Sequence, residues 1–156
     1  YNQEFGTDIR VVRFFNVYGP RQAASFVVPI FINLALQNNP IKIFGEGSQT
    51  RCFTYVEDVA DAVLKVFEKG NAGEAYNIGN NQPTTILELA QIVKELTGSK
   101  SPIVKVGFGK ETRLKEREIE YRIPDISKIK TLGWEPKTSI REGIRKMLEY
   151  KKQGHN

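Results

Sequence analysis

A turn carrying Gly45 and Gly47 is followed by Arg51, and Asn16 stands between an aromatic pair and the Gly19-Pro20 turn in the run VVRFFNVYGPR over residues 11–21. A planar guanidinium leaving a glycine turn can meet paired phosphate oxygens in a fork that lysine cannot copy. An amide can donate to a phosphate oxygen while accepting from a backbone N–H. The chemistry open to these two side chains is therefore anion recognition, with a diphosphate the natural target. Each also has a plainer reading on residue chemistry alone. Arg51 can pair with a surface carboxylate such as Glu57 or Asp58, and Asn16 can be an ordinary turn residue.

Other chemistries lack their residues. His155 is the only histidine and lies in the last two residues, which removes histidine-based metal sites and Ser-His catalysis. Cys52, the only cysteine, has no CxxC partner. No G-x-x-x-x-G-K-[ST] loop is present. Glu57, Asp58 and Asp61 offer carboxylates for a cation, but acids in the first turn of a helix complement its dipole, and that structural role is the expectation; no metal site is assigned.

Composition bounds the rest. At 156 residues, 40% hydrophobic and 26% charged, the chain reads as one folded domain with enough apolar content for a core. No apolar run approaches the ~20 residues that span a bilayer, and the first residues, YNQEFGTDIR, lack the order of a signal peptide. A lone thiol suits a reducing compartment, so a cytoplasmic location without membrane association is expected. The net charge of +5 comes from Lys and Arg interleaved with acids, as in KETRLKEREIEYR, and not from a single basic block. A nucleic-acid partner is not expected; a site for an anionic diphosphate accounts for part of the excess.

The elements that must position these side chains follow from periodicity. Residues 1–6 read as the end of a helix closed by Gly6. Residues 8–15 read as a strand apolar on both faces, hence buried. Helical spacing of Ile30, Phe31, Leu34 and Ala35 predicts a helix that begins near Pro29 and stops at Asn38-Asn39-Pro40. Residues 41–44 and 51–55 read as extended. Residues 57–69 are the clearest helix, with Val59, Ala60, Val63, Leu64, Val66 and Phe67 as its apolar stripe. A strand at 75–78 follows, then a helix over 86–97 with a Thr85/Glu88 capping box. Beyond it come a strand at 103–106, a charged loop over 107–118, an edge strand at 119–123, a short helix capped by Asp125, and a final helix over 140–152 capped by Ser139.

Three segments in order, RFFNVYGPR, FGEGSQTRCFTYVEDVADA and AYNIGN, resemble the C-terminal half of the extended short-chain dehydrogenase/reductases, the NAD-dependent nucleotide-sugar epimerases and dehydratases. The likeness runs from Tyr1 through LGWEPKTSIREGI. It implies an α/β fold: the last strands of a partial Rossmann-type parallel sheet plus a small mixed α/β substrate-binding lobe. Residues 1–22 and 52–80 are assigned to the NAD-binding sheet, and 23–51 and 81–156 to the lobe. The implied cofactor is NAD, with Phe14 and Phe15 lining its nicotinamide end and Asn16 also among its contacts, although core packing serves the two phenylalanines equally well. The implied ligand is a nucleotide-diphosphate sugar, a UDP-sugar first. Arg51 and Asn16 would meet the diphosphate, Val27, Val28 and Pro29 would flank the nucleotide, Ile43 and Phe44 would contact its base, and Asn77 would face the sugar. The apolar members of this set can equally be core.

The chain also departs from the family pattern. Where many relatives carry an arginine-containing signature about ten residues before Asp125, this sequence has Lys115 and Glu118, with Arg113 and Arg117 close by. A lysine meets a diphosphate as a point charge, so the clamp is expected to be weaker or shared with a neighbouring arginine. Cys52 stands where relatives usually have aspartate. The family's glycine-rich cofactor turn and its Tyr-x-x-x-Lys pair are absent from these 156 residues: Tyr1 is followed four positions on by Phe5. The expectation is a fragment whose catalytic residues lie upstream, inactive alone and homodimeric as the intact enzyme. The reaction expected of that enzyme is 4-epimerisation, with 4,6-dehydration, UDP-glucuronate decarboxylation or a non-catalytic nucleotide-binding module as alternatives; YRIPDISK at 121–128 resembles the decarboxylase branch.

Overall fold

A computed structural model describes residues 1–107 and 119–154. In chain order the elements are α1 (Asn2–Phe5), β1 (Val11–Phe14), β2 (Val17–Tyr18), α2 (Val27–Leu36), β3 (Ile41–Phe44), β4 (Thr50–Arg51), β5 (Thr54–Tyr55) and α3 (Val56–Lys69). They continue with β6 (Ala75–Ile78), β7 (Thr84–Thr85), α4 (Ile86–Thr97), β8 (Ile103–Val106), β9 (Tyr121–Arg122), α5 (Ser127–Lys130) and α6 (Ile140–Lys152). The chain divides into two compact units, the first formed by Tyr1–Tyr18, Cys52–Pro83 and Ile123–Ile140, the second by Gly19–Arg51, Thr84–Arg122 and Arg141–Asn156.

In the first unit β1 runs parallel to β6, with Val11 opposite Ala75 and Phe14 opposite Ile78, and β2 runs parallel to β5. The core gathers Val59, Ala62 and Val66 of α3, Tyr76 and Ile78 of β6, and Ile126, Ile129 and Trp134. Asp58, itself buried, ties Trp134 and the residues that follow it to this core. Its carbonyl accepts the Trp134 indole N–H at 3.0 Å, and its Oδ2 accepts the amides of Thr138 at 2.9 Å and Lys137 at 3.3 Å. Residues 123–140 therefore pack in this unit, whereas the sequence reading grouped them with the rest of 81–156. Isoleucine spacing alone could not say which core would receive them.

Two further expectations need correction. The strand at 8–15 is four residues long and not buried: Val11 is 48% and Phe14 53% exposed. Among the described residues β6 is its one hydrogen-bonded strand, so apolar side chains that a sheet covered on both faces would hide stand open. The α3 stripe likewise divides. Val59, Ala62 and Val66 face the core, while Leu64 and Phe67 are 58% and 72% exposed.

In the second unit α2 packs on α4, burying Val28, Phe31, Ile32 and Ala35 from one helix and Leu89, Ala90 and Val93 from the other. β3 pairs in parallel with β8, Ile41 opposite Ile103. A three-stranded sheet in the order β7-β4-β9 sets Thr50 opposite Thr85 on one side and Tyr121 on the other. Helix α4 begins with the expected capping box: Thr85 Oγ1 accepts the Glu88 amide at 3.0 Å, and the Glu88 carboxylate accepts the Thr85 amide at 2.8 Å.

Candidate functional site

The glycine turn that leads to Arg51 is built to be tight. Gly45 and Gly47 have φ of 63° and 74°, values glycine takes freely. At Gly47 a Cβ would come within 2.9 Å of Ile43 Cδ1 and 3.2 Å of the Leu87 amide nitrogen, so the position leaves no room for a side chain. The Gly47 and Gln49 carbonyls accept the amides of Leu87 and Ile86, fastening the turn to the start of α4. Lys105 of β8 pairs with Glu46 at its apex.

Arg51 follows in β4 and is half-buried. Its Nη1 donates to the carbonyl of Thr50 at 2.8 Å and to that of Ile119 at 2.7 Å. Both bonds leave from this one nitrogen and restrain the orientation of the guanidinium. In the same unit, Val28 and Pro29 are buried in the first turn of α2 and Val27 is half-buried; Ile43 is 1% exposed and packs beside Gly47, while Phe44 is half-buried. Val28 and Ile43 thus serve the core. Lys115 and Glu118, with Arg113 and Arg117, lie outside the described residues.

The first unit holds the other sequence-derived residues. Asn16 follows the end of β1 with φ 39°, an uncommon conformation for any residue but one asparagine tolerates. Its Nδ2 donates to the Cys52 carbonyl at 3.3 Å, and its own carbonyl accepts the Thr54 amide at 3.1 Å. Phe15 is half-buried and Phe14 half-exposed, so core packing does not account for Phe14. Asn77 of β6 donates its Nδ2 to the Asp125 carbonyl at 2.9 Å. Asp125 in turn accepts the Ser127 amide at 2.9 Å, the main reason its carboxyl is held below the usual range.

Two residues escaped the sequence reading. Thr54, fully buried, donates its hydroxyl to the Phe15 carbonyl at 3.0 Å and accepts the amide of Asn80 at 2.8 Å, joining the carboxyl ends of β1 and β6. A threonine among the apolar neighbours of 52–55 was the only hint. Arg21 adopts φ 65°, which no local pattern announces. Burial pushes the Cys52 thiol up, away from the reactive thiolate. Among the described residues no cluster of three or more His, Cys, Asp or Glu could hold a metal ion, and no helix is long and apolar enough to cross a membrane.

The model of the NAD dependent epimerase/dehydratase family matches residues 1–79. Among curated proteins, the UDP-N-acetyl-alpha-D-glucosaminuronate decarboxylase of Bacillus cytotoxicus is 37% identical over 97% of this chain and 48% of its own length. UDP-glucuronic acid decarboxylase 3 of Arabidopsis thaliana is 41% identical over 96% of this chain and 42% of its own. Among solved structures, UDP-glucose 4-epimerase of Thermotoga maritima, crystallised with UDP-glucose, superposes with a TM-score of 0.88 at 36% identity, covering 99% of this chain and 49% of that one. The parallel α/β pairings and the ordered motifs belong together: this chain is a member of the NAD-dependent epimerase/dehydratase family. It spans about half the length of the relatives it matches.

Proposed function

We propose that this chain supplies the nucleotide-sugar side of an NAD-dependent nucleotide-sugar epimerase or dehydratase, with a UDP-sugar 4-epimerase as the first reading. The observation that supports it most is Arg51, a guanidinium oriented by two backbone carbonyls behind a glycine turn with no room for a side chain. A fork restrained in orientation loses little conformational freedom when it meets two oxyanions. By the resemblance, Asn16 would meet the diphosphate, Val27 and Pro29 would flank the nucleotide, and Phe44 would take the base. Asn77 would face the sugar.

NAD fits the residues present in part. Phe14 offers an open apolar surface at the carboxyl end of a parallel strand, with Phe15 and Asn16 next to it, where open α/β sheets bind ligands. A bound NAD would supply reversible hydride acceptance for the sugar. The tyrosine and lysine that would move the hydroxyl proton are not among these 156 residues. The chain's share is to bind and orient the nucleotide sugar. Turnover belongs to a homodimeric, cytoplasmic enzyme that carries that pair.

Decarboxylation of a UDP-uronate is a second reading, favoured by the YRIPDISK segment and by the similarity to two decarboxylases. One calorimetric experiment tests both. UDP-glucose and UDP-glucuronate are titrated into the chain and into Arg51→Ala. Saturable binding weakened roughly ten- to a hundredfold in the variant, the scale of a charged hydrogen bond, is expected. Tighter binding of the glucuronate favours the decarboxylase. Binding unchanged by Arg51→Ala overturns the clamp.

A further inference from the structure

The second unit carries a cleft that shares only Pro29 with the residues assigned to the nucleotide. It measures about 320 Å³ and lies between the turn that begins at Gly19, Pro29 and Asn33 of α2, and Met147, Tyr150 and Lys151 of α6. That volume is at the small end for sites that take small organic molecules.

Arg21 lines this cleft in a conformation its residue type rarely adopts. Its φ is 65°, a region glycine enters at no steric cost and an arginine enters against its Cβ. A turn that needed only its shape would be served better by glycine, so the strain is tolerated for the side chain. The guanidinium is tethered by one edge: Nε donates to the Tyr150 hydroxyl at 2.9 Å. Among the described residues no carboxylate lines the cleft, and Lys151 adds a second cation. Pro29, which is buried, and Met147, 5% exposed, give the cleft its apolar part, beside the polar side chains of Gln22 and Asn33. A cationic fork above an apolar floor, without a neutralising acid, is complementary to an anion on an apolar body.

We propose that this cleft binds a compact organic anion, its apolar body against Met147 and Pro29 and its carboxylate or phosphate oxygens on Arg21. The rival account makes Arg21 a tether between a surface turn and the last turn of α6, where a cation complements the helix dipole. The two differ in whether a ligand is held. The proposal does not rest on the nucleotide-sugar reading.

Met147 is the only methionine of the chain, so labelling methionine methyl groups for NMR yields a single signal, and it comes from the cleft wall. Titration with phenyl phosphate and with benzoate should move that signal saturably at millimolar concentration or below. The stronger of the two identifies the anionic group preferred. Benzyl alcohol, which has the body without the charge, should bind at least tenfold more weakly. Arg21→Gly suits the left-handed backbone and should keep the melting temperature while weakening phenyl phosphate tenfold or more. Lys151→Gln should weaken it less. An unmoved methyl signal, an equal response in Arg21→Gly, or equal binding of benzyl alcohol overturns the proposal. Displacement of phenyl phosphate by UDP-glucose would also overturn it, by assigning the cleft to the nucleotide. Failure of UDP-glucose to bind at all would count against the proposed function and leave the phenyl phosphate result standing.

Discussion

Arg51 Nη1 lies 2.7 Å from the carbonyl oxygen of Ile119, so the arginine at the end of β4 also holds the residue that leads into β9. One side chain thereby couples the register of a sheet edge to the direction of a guanidinium. Arg51→Lys separates these roles. An ammonium can reach a carbonyl but cannot present a plane, so nucleotide-sugar affinity should fall by roughly tenfold, the scale of one lost charged hydrogen bond. Amide exchange at Tyr121 and Arg122 should quicken only slightly. Quickening of those amides with unchanged affinity would make Arg51 a purely structural residue.

The tie between Asp58 and residues 134–138 predicts graded losses. Asp58→Ala leaves the Lys137 and Thr138 amides without their acceptor and should cost about 1 to 3 kcal/mol; Trp134→Phe removes the indole donor and should cost about 1 kcal/mol. Urea denaturation of the single and double variants checks both. The double loss should differ from the sum, because the two changes disrupt one packed segment.

Glycines 47 and 98 share the left-handed region but not their surroundings. A Cβ on Gly98 meets nothing within 4 Å, so Gly98→Ala should cost about 1 to 2 kcal/mol of backbone strain alone. At Gly47 the same strain is joined by contacts at 2.9 Å with Ile43 and 3.1 Å with Leu87, and the total should reach about 2 to 5 kcal/mol. Equal melting temperatures for the two variants would contradict the packing described around the turn.

Three exposed carboxyls are held below their usual range: Glu74 by the hydrogen bond from Lys128, Glu95 by that from Arg141, and Asp125 by the Ser127 amide. A lowered folded value means that the native state binds fewer protons than the unfolded chain in acid. Their stabilisation is complete above the unfolded values of about 4 and is lost as pH falls through the folded ones. The melting temperature should be flat between about pH 5 and 7 in respect of these groups and decline below about pH 4. Glu95→Gln should flatten part of that decline. An acid slope unaltered by the substitution would show that the Arg141 pair contributes nothing.

How far the sequence reached depended on whether a signal was local. The Thr85/Glu88 box, the left-handed Gly6 and Gly98, and the α4 and α6 helices were legible because caps and helical periodicity act over a few residues. The exposure of Phe14, Leu64 and Phe67 was not, since an apolar pattern states that a surface wants cover and cannot state whether cover is there. Trp134 is tied to the first core by Asp58, 76 residues before it, which accepts its indole N–H, and Ile126 and Ile129 pack in the same core.

The sequence by itself determined the family, the order of strands and helices, and the residue types able to grip an anion, because motif chemistry and short-range periodicity are written in adjacent positions. Tertiary structure alone decided which carbonyls orient Arg51, which core claims residues 123–140, and that Arg21 and Lys151 share a cleft with Met147. Those outcomes depend on long-range hydrogen bonds and on the competition of distant apolar surfaces for burial, and neither is encoded in the spacing of neighbours.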